Sequence, residues 1–102
     1  MAIHYINKQN FEQEVMHSKE TVLVDFFATW CGPCKMLSPT LEQIAQEHPE
    51  IKVCKIDVDQ EPELAARYGV MSIPTLMVVK NGCITQQALG AQPKQAILEL
   101  LK

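Results

Sequence analysis

The chain has no long hydrophobic run and no cluster of basic residues. Its longest apolar stretches, such as Leu76–Val79, are far shorter than the roughly 20 residues that a helix needs to cross a bilayer. The nine Lys and Arg residues are scattered and the net charge is −3, so nothing indicates a nucleic-acid partner. Met1–Tyr5 lacks the charged and apolar regions of a signal peptide. We therefore expect no membrane association, no nucleic-acid binding and a cytoplasmic location.

Aromatic residues are also few, at 6% of the chain. The four cysteines are irregularly spaced, unlike those of a small secreted domain held together by disulfides. The hydrophobic fraction of 47% in 102 residues is enough for a core without such cross-links. We predict a single domain spanning residues 1–102, in a reducing compartment.

Hydrophobic patterning predicts alternating strands and helices. Strands are predicted around Tyr5–Ile6 and over Thr21–Phe27, Ile51–Val58, Thr75–Lys80 and Cys83–Leu89. Helices are predicted from Asn10, over Gly32–Glu47, from Pro62 to near Gly69, and from about Pro93 to Leu101. This order, β-α-β-α-β-α-β-β-α, indicates an α/β fold with a central mixed sheet and helices on both faces.

Three local signals refine this prediction. Asn10 and Gln13 resemble a capping box that would begin the first helix. Pro39 lies inside the second helix and should kink it, because it removes a backbone donor. Asn81–Gly82 predicts a two-residue turn between the last two strands.

The pentapeptide Trp30–Cys34 reads W-C-G-P-C and lies between a predicted strand and a predicted helix. Two cysteines separated by two residues can close and open a disulfide with little backbone movement, which is typical of thiol–disulfide exchange. Cys31 falls at the expected start of the helix, where free N–H groups and the helix dipole stabilise a thiolate. We predict that Cys31 attacks a substrate disulfide, and that Cys34, more buried and less ionised, resolves the mixed disulfide. Gly32 would let a substrate approach, and Pro33 would stiffen the loop.

The alternative interpretation is that the two cysteines are half of a zinc site. Zinc would need two further ligands at suitable spacing. Cys54 and Cys83 do not form a second pair, and the three histidines show no H-x3-H pattern. We therefore predict no metal site.

Asp25 interrupts the apolar strand that precedes the motif. Its face of the strand also carries Leu23 and Phe27, so the carboxyl should be buried and its pKa raised. Such a group could take the proton from Cys34. The alternative is a solvated position at the edge of a sheet.

Together these motifs resemble the thioredoxin family. The resemblance rests on Asp25, the pentapeptide Trp30–Cys34, Ile73–Thr75, Lys80–Gly82 and Gly90–Ala91, in the same order and spacing, and it covers the chain from about residue 3 onward. It implies a mixed sheet of about five strands flanked by four helices. It also implies a cis peptide bond before Pro74. Within the family, a Gly-Pro spacer between the cysteines is typical of members that reduce disulfides rather than form them.

The resemblance assigns further roles. Lys55 would lie on a neighbouring strand and modulate Asp25, and the backbone of Ile73 would pair with an extended substrate segment. The implied docking surface comprises Trp30, Gly32, Pro33, Ile73, Pro74, Gly90 and Ala91. For Ile73 and Ala91, simple packing is the alternative, and for Lys55 the alternative is an ordinary strand lysine. Two departures from the family pattern are Phe27, where a second tryptophan is common, and Met71–Ser72.

The implied function is reduction of protein disulfides, with regeneration by a thioredoxin reductase. The implied clients are ribonucleotide reductase, peroxiredoxins and methionine sulfoxide reductases. No bound cofactor is expected, because the electrons reside on the two sulfur atoms, and the chain is expected to be monomeric. The rival functions are an oxidase or isomerase of the same fold, and a binding module with dispensable thiols. Cys54 is expected to be a core residue, and Cys83 to be exposed.

Overall fold

The computed structural model describes residues 3–102 and contains a five-stranded mixed sheet in the order β1-β3-β2-β4-β5. The strands are β1 (Ile3–Tyr5), β2 (Thr21–Phe27), β3 (Ile51–Asp57), β4 (Thr75–Lys80) and β5 (Cys83–Leu89). The first three are parallel to one another, and β4 and β5 are antiparallel to their neighbours. The predicted α/β class and mixed sheet are therefore confirmed.

Four helical segments connect and flank the strands. They are a π-helical turn over Glu12–Met16, α1 (Gly32–Glu47), α2 (Pro62–Arg67) and α3 (Lys94–Leu100). None of the helices within residues 3–102 is long and apolar enough to span a membrane.

Strand β2 lies at the centre of the sheet and is buried on both faces. Val22, Val24 and Phe26 pack with residues of the π-helical turn and α2. Leu23 packs on the opposite side, against α1 and α3. Because side chains alternate along a strand, consecutive apolar residues such as Val22, Leu23 and Val24 fill both layers of the core.

The main differences from the predicted elements lie near the amino terminus. Strand β1 ends at Tyr5, and the N–H of Ile6 donates a hydrogen bond to the carbonyl of Lys55 at 2.9 Å. The predicted capping box is wrong. The side chain of Asn10 accepts from the N–H of Asn7 at 2.7 Å, and Asn7 accepts from the N–H of Asn10 at 2.9 Å. This reciprocal turn uses the oxygen that would have capped the helix, and no side chain caps the helical turn that follows.

The other boundaries shift by small amounts. Strand β3 ends one residue before Val58, whose N–H instead donates to the carbonyl of Phe27 at 2.8 Å. Helix α2 ends before Gly69, which has a φ of 67°. Helix α1 runs through Pro39 over the predicted 16 residues, and the kink at that proline stays a prediction.

The β4–β5 hairpin turns at Asn81–Gly82, as predicted. Both residues have positive φ angles, 52° and 77°, which a two-residue turn needs to match the strand twist. Asparagine and glycine are the residues that adopt this conformation most readily.

We expect Gly82→Ala to lower the free energy of unfolding by more than the 1 kcal/mol or so that positive φ costs an L-residue. A Cβ at this position would lie 3.1 Å from the backbone oxygen of Met16. Gly69→Ala is the matched control, because Gly69 also has a positive φ but a Cβ there would meet no other atom within 4 Å. Urea unfolding measures both. Equal losses would show that the contact with Met16 costs nothing.

Candidate active site at the start of helix α1

The two cysteines of the motif lie where β2 passes into α1. Cys31 is the last residue before the helix and has an extended backbone, with φ −87° and ψ 116°. Its Sγ accepts a hydrogen bond from the N–H of Cys34 at 3.2 Å, so the sulfur takes the place of a conventional capping oxygen. Pro33 fits the first turn because that position needs no backbone donor. The sulfur therefore accepts an N–H of the first helical turn at the positive end of the helix dipole, where a thiolate is stabilised.

Cys31 and Cys34 form a disulfide, with their Cα atoms 5.3 Å apart. They are 4% and 2% exposed, so burial distinguishes them much less than expected. Ala28, Phe27 and Ile73 pack around both cysteines. The clearer difference is in hydrogen bonding, because the sulfur of Cys31 is the one that caps the helix.

A second segment approaches the disulfide from the start of β4. The peptide bond between Ile73 and Pro74 is cis, as the resemblance implied. The carbonyl oxygen of Ile73 lies 3.9 Å from the Sγ of Cys31. Pro74 itself is buried, whereas Ile73 is half-buried.

The end of β5 supplies a third segment. The N–H of Gly90 donates to the carbonyl of Pro74 at 2.8 Å, and Gly90 has a φ of 84°. Ala91, which follows, is exposed. Residues 30–34, 73–74 and 90–91 thus come together at one end of the sheet.

The surface beside the disulfide is apolar and accessible. Trp30 is 69% exposed and donates through Nε1 to a carboxylate oxygen of Asp59 at 2.8 Å. Gly32 and Pro33 are exposed next to it. A cavity of about 200 Å³ lies nearby, lined by Trp30, Val58, Val70, Met71, Ser72 and Ile73. Met71 is 94% exposed, the highest value for a large apolar side chain among the described residues.

Asp59 was not found by reasoning from the sequence. It lies in the turn after β3, where its N–H donates to the side chain of Asp57 at 2.9 Å. The one signal in the sequence was its place just beyond a parallel strand, at the same sheet edge as the motif.

Asp25 is fully buried on β2, between Lys55 of β3 and Leu76 of β4. Burial raises the pKa of its carboxyl from the ordinary 3.8 to about 6, and the nearby Lys55 opposes this. Within residues 3–102, neither carboxyl oxygen accepts a hydrogen bond. The alternative of a solvated edge position is therefore wrong.

Lys55 lies beside Asp25, as the resemblance implied, but does not hydrogen-bond to it. Its Nζ is 3.8 Å from the Oδ2 of Asp25. It donates instead to the hydroxyl of Ser38 at 2.9 Å and lies 4.6 Å from the centre of the Phe27 ring. Ser38 in turn donates to the carbonyl of Cys34 at 3.3 Å. No feature of the sequence had drawn attention to Ser38.

The described residues contain no group of three or more His, Cys, Asp or Glu side chains arranged to hold a metal ion. Within that part of the chain, the zinc interpretation thus lacks the further ligands that it requires.

Comparison with known proteins identifies the family. A family model described as Thioredoxin matches residues 2–102. A thioredoxin of Bacillus subtilis (strain 168) is 49% identical over 102 residues, which cover 99% of this chain and 96% of the relative. A thioredoxin of Streptomyces clavuligerus is 46% identical over 93 residues, covering 91% and 87%. Thioredoxin 1 of Nostoc sp. (strain PCC 7120) is 44% identical over 102 residues, covering 99% and 95%.

This chain belongs to the thioredoxin family. Its fold is the thioredoxin fold, and with its paired cysteines it is a thiol–disulfide oxidoreductase that acts as a reductant. Membership implies that a thioredoxin reductase and disulfide-containing client proteins are its partners in general terms.

The two remaining cysteines of this thioredoxin-family chain lie where they were expected. Cys54 is buried in β3, and burial raises the pKa of its thiol to about 12, so it is not a nucleophile near neutral pH. Cys83 is exposed at the start of β5. Both must be removed before the chemistry of Cys31 and Cys34 can be measured alone.

Asp25 should make the stability of the fold depend on pH. Its pKa in the folded state lies above its unfolded value. The raised pKa therefore has no effect on stability while the carboxyl is protonated in both states, and it destabilises the fold progressively as the pH rises from the unfolded value of 3.8 through about 6. We expect the stability of Asp25→Asn, relative to the unaltered chain, to rise by roughly 2 to 3 kcal/mol between about pH 4 and about pH 7.5.

Urea unfolding of the disulfide form at several pH values measures this effect. Glu42→Gln is the control, because Glu42 is an exposed carboxylate on α1 and its removal should leave the pH dependence unchanged. A constant difference between Asp25→Asn and the unaltered chain would contradict the assignment of a raised pKa.

Proposed function

We propose that this chain reduces protein disulfides through Cys31, with Cys34 as the resolving thiol and Asp25 as the proton acceptor. The observation that carries the proposal is the Cys31–Cys34 disulfide at the start of α1, where the capping sulfur is Cys31. Reduced, the same sulfur would be a thiolate that accepts the N–H of Cys34.

In the first step the Cys31 thiolate attacks one sulfur of a client disulfide. A bond forms between Cys31 and that sulfur, the client S–S bond breaks, and the second client sulfur leaves as a thiolate. The product is a mixed disulfide. The exposed surface around Trp30, Gly32 and Pro33 would dock the client, and we infer that the backbone of Ile73 pairs with its extended segment.

In the second step Cys34 loses its proton and attacks the Sγ of Cys31. The mixed disulfide breaks and the client leaves with both sulfurs reduced. Cys31 and Cys34, which supplied the two electrons, are now oxidised to a disulfide. The carboxyl of Asp25 suits the role of proton acceptor, because with a pKa of about 6 it is largely ionised at neutral pH yet basic enough to take a proton. Its oxygens accept no hydrogen bond from residues 3–102 that would weaken this capacity.

Regeneration requires two electrons from a thioredoxin reductase. We further propose that ribonucleotide reductase, peroxiredoxins and methionine sulfoxide reductases are among the clients, that the chain acts in the cytoplasm as a monomeric single domain, and that it needs no bound cofactor. The Gly-Pro spacer supports reduction over oxidation or isomerisation, as the family resemblance implied.

A trapping experiment tests the order of the two cysteines. In a Cys54→Ala/Cys83→Ala background, Cys34→Ser should accumulate a covalent complex with a disulfide-bonded client, because the mixed disulfide cannot be resolved. Cys31→Ser should not, because the nucleophile is missing. Non-reducing electrophoresis followed by mass spectrometry identifies the linked residue.

Replacing both Cys31 and Cys34 by serine is the control. This variant should lose all disulfide-reducing activity with insulin as a test substrate. Equal trapping by the two single variants would contradict the proposed order, and activity in the double variant would contradict the reductase itself.

A further inference from the structure

Ser38 lies one helical turn after Cys34, and its hydroxyl joins two parts of the site. It donates to the carbonyl oxygen of Cys34 at 3.3 Å and accepts from the Nζ of Lys55 at 2.9 Å. A serine hydroxyl has one donor and two acceptor positions, so it can serve both partners at once. A continuous line of contacts therefore runs from Cys34 through Ser38 to Lys55 and on to Asp25.

The gap between Lys55 and Asp25 needs an explanation. Both side chains are buried, and an ammonium and a carboxylate in such a setting normally approach to hydrogen-bond distance. Here Nζ stays 3.8 Å from Oδ2, although neither oxygen of Asp25 has another partner among residues 3–102. The ammonium instead hydrogen-bonds to Ser38 of α1 and lies 4.6 Å from the centre of the Phe27 ring of β2.

We propose that Ser38 is a positioning residue for the thiol–disulfide reaction, because its hydroxyl holds the Lys55 ammonium away from a direct hydrogen bond with Asp25. This inference rests on the proposed function, in which Asp25 takes the proton from Cys34. A carboxylate fully paired with an ammonium is a weaker base than one left unpaired. By holding the ammonium back, Ser38 preserves the basicity that the second step requires.

The charged surroundings of Asp25 are simple. Lys55 of β3 is the one cationic side chain of the described residues within 4 Å of its carboxyl oxygens. On α1 the contact line ends at Cys34, which is held in the disulfide, and on β4 the residue opposite Asp25 is Leu76. Asp57 and Glu61 line a cavity of about 540 Å³ together with Lys55, and among the described residues neither forms an ion pair with it.

The first test is a titration of the Asp25 carboxyl by carbon-13 NMR, in the disulfide form and without any client. In Ser38→Ala the ammonium loses its acceptor and should close on Asp25. At an effective dielectric constant of about 20, shortening the separation by about 1 Å lowers the midpoint by about one pH unit. Ser38→Thr keeps the hydroxyl and should leave the midpoint unchanged.

The second test asks whether Ser38 acts through Lys55. Lys55→Met alone should raise the midpoint, because the opposing charge is gone. Adding Ser38→Ala to Lys55→Met should then produce no further change, as expected when one residue acts only through the other. A shift that persists without Lys55, an unchanged midpoint in Ser38→Ala, or a raised one would overturn the proposal.

The third measurement links positioning to the reaction. Release of the client thiol reports the rate at which the mixed disulfide is resolved, and this rate is measured over a range of pH. In Ser38→Ala the midpoint of the pH–rate profile should move to lower pH, by the same amount as the midpoint of the NMR titration. An acid shift by NMR with an unmoved rate profile would contradict Asp25 as the base in the proposed function. The positioning of Lys55 by Ser38 would still be supported in that case. Failure of the Ser38 proposal and failure of Asp25 as the base are therefore distinguishable.

Discussion

The burial of β2 is the constraint on which the rest of the structure depends. Val22 to Phe26 are inaccessible, with β3 and β4 paired along the two edges and a helical layer on each face. A strand held in this way delivers the following loop, and with it Cys31, to a fixed place at the start of α1. The same burial removes water from Asp25, whose raised pKa is therefore a consequence of the packing that supports the loop.

Sheet topology explains why three distant segments form one site. Phe26 near the end of β2 is paired with Thr75 at the start of β4, and Thr75 is paired with Leu89 at the end of β5. The residues just beyond these pairs therefore emerge at the same edge of the sheet. They are the cysteine motif, the segment that ends at Pro74, and Gly90 with Ala91. The reacting cysteines lie at the start of α1, whereas residues of all three segments form the proposed docking surface.

Local patterns predicted the parts of the structure that local interactions determine. The bounds of β2, α1, β4 and β5 agreed with the prediction. An unbroken apolar run marks β2, helical spacing of apolar residues marks α1, and the Asn81–Gly82 turn separates β4 from β5. The capping role of Asn10 failed because Asn7, three residues earlier, competes for the same side chain. Ser38 and Asp59 escaped notice because their partners, Lys55 and Trp30, lie 17 and 29 residues away in sequence. The position of Lys55 beside Asp25 came from the family resemblance, because no local signal in the sequence indicates which residue of β3 pairs with Asp25.

The most direct test of this account is the reduction potential of the Cys31–Cys34 pair. It would be measured in a Cys54→Ala/Cys83→Ala background, by equilibration against dithiothreitol buffers and alkylation of the free thiols. We expect a potential well below that of the glutathione pool, so that electrons flow outward to client disulfides. A potential well above that pool would identify an oxidant or isomerase, and the absence of any reversible couple would contradict a redox role altogether.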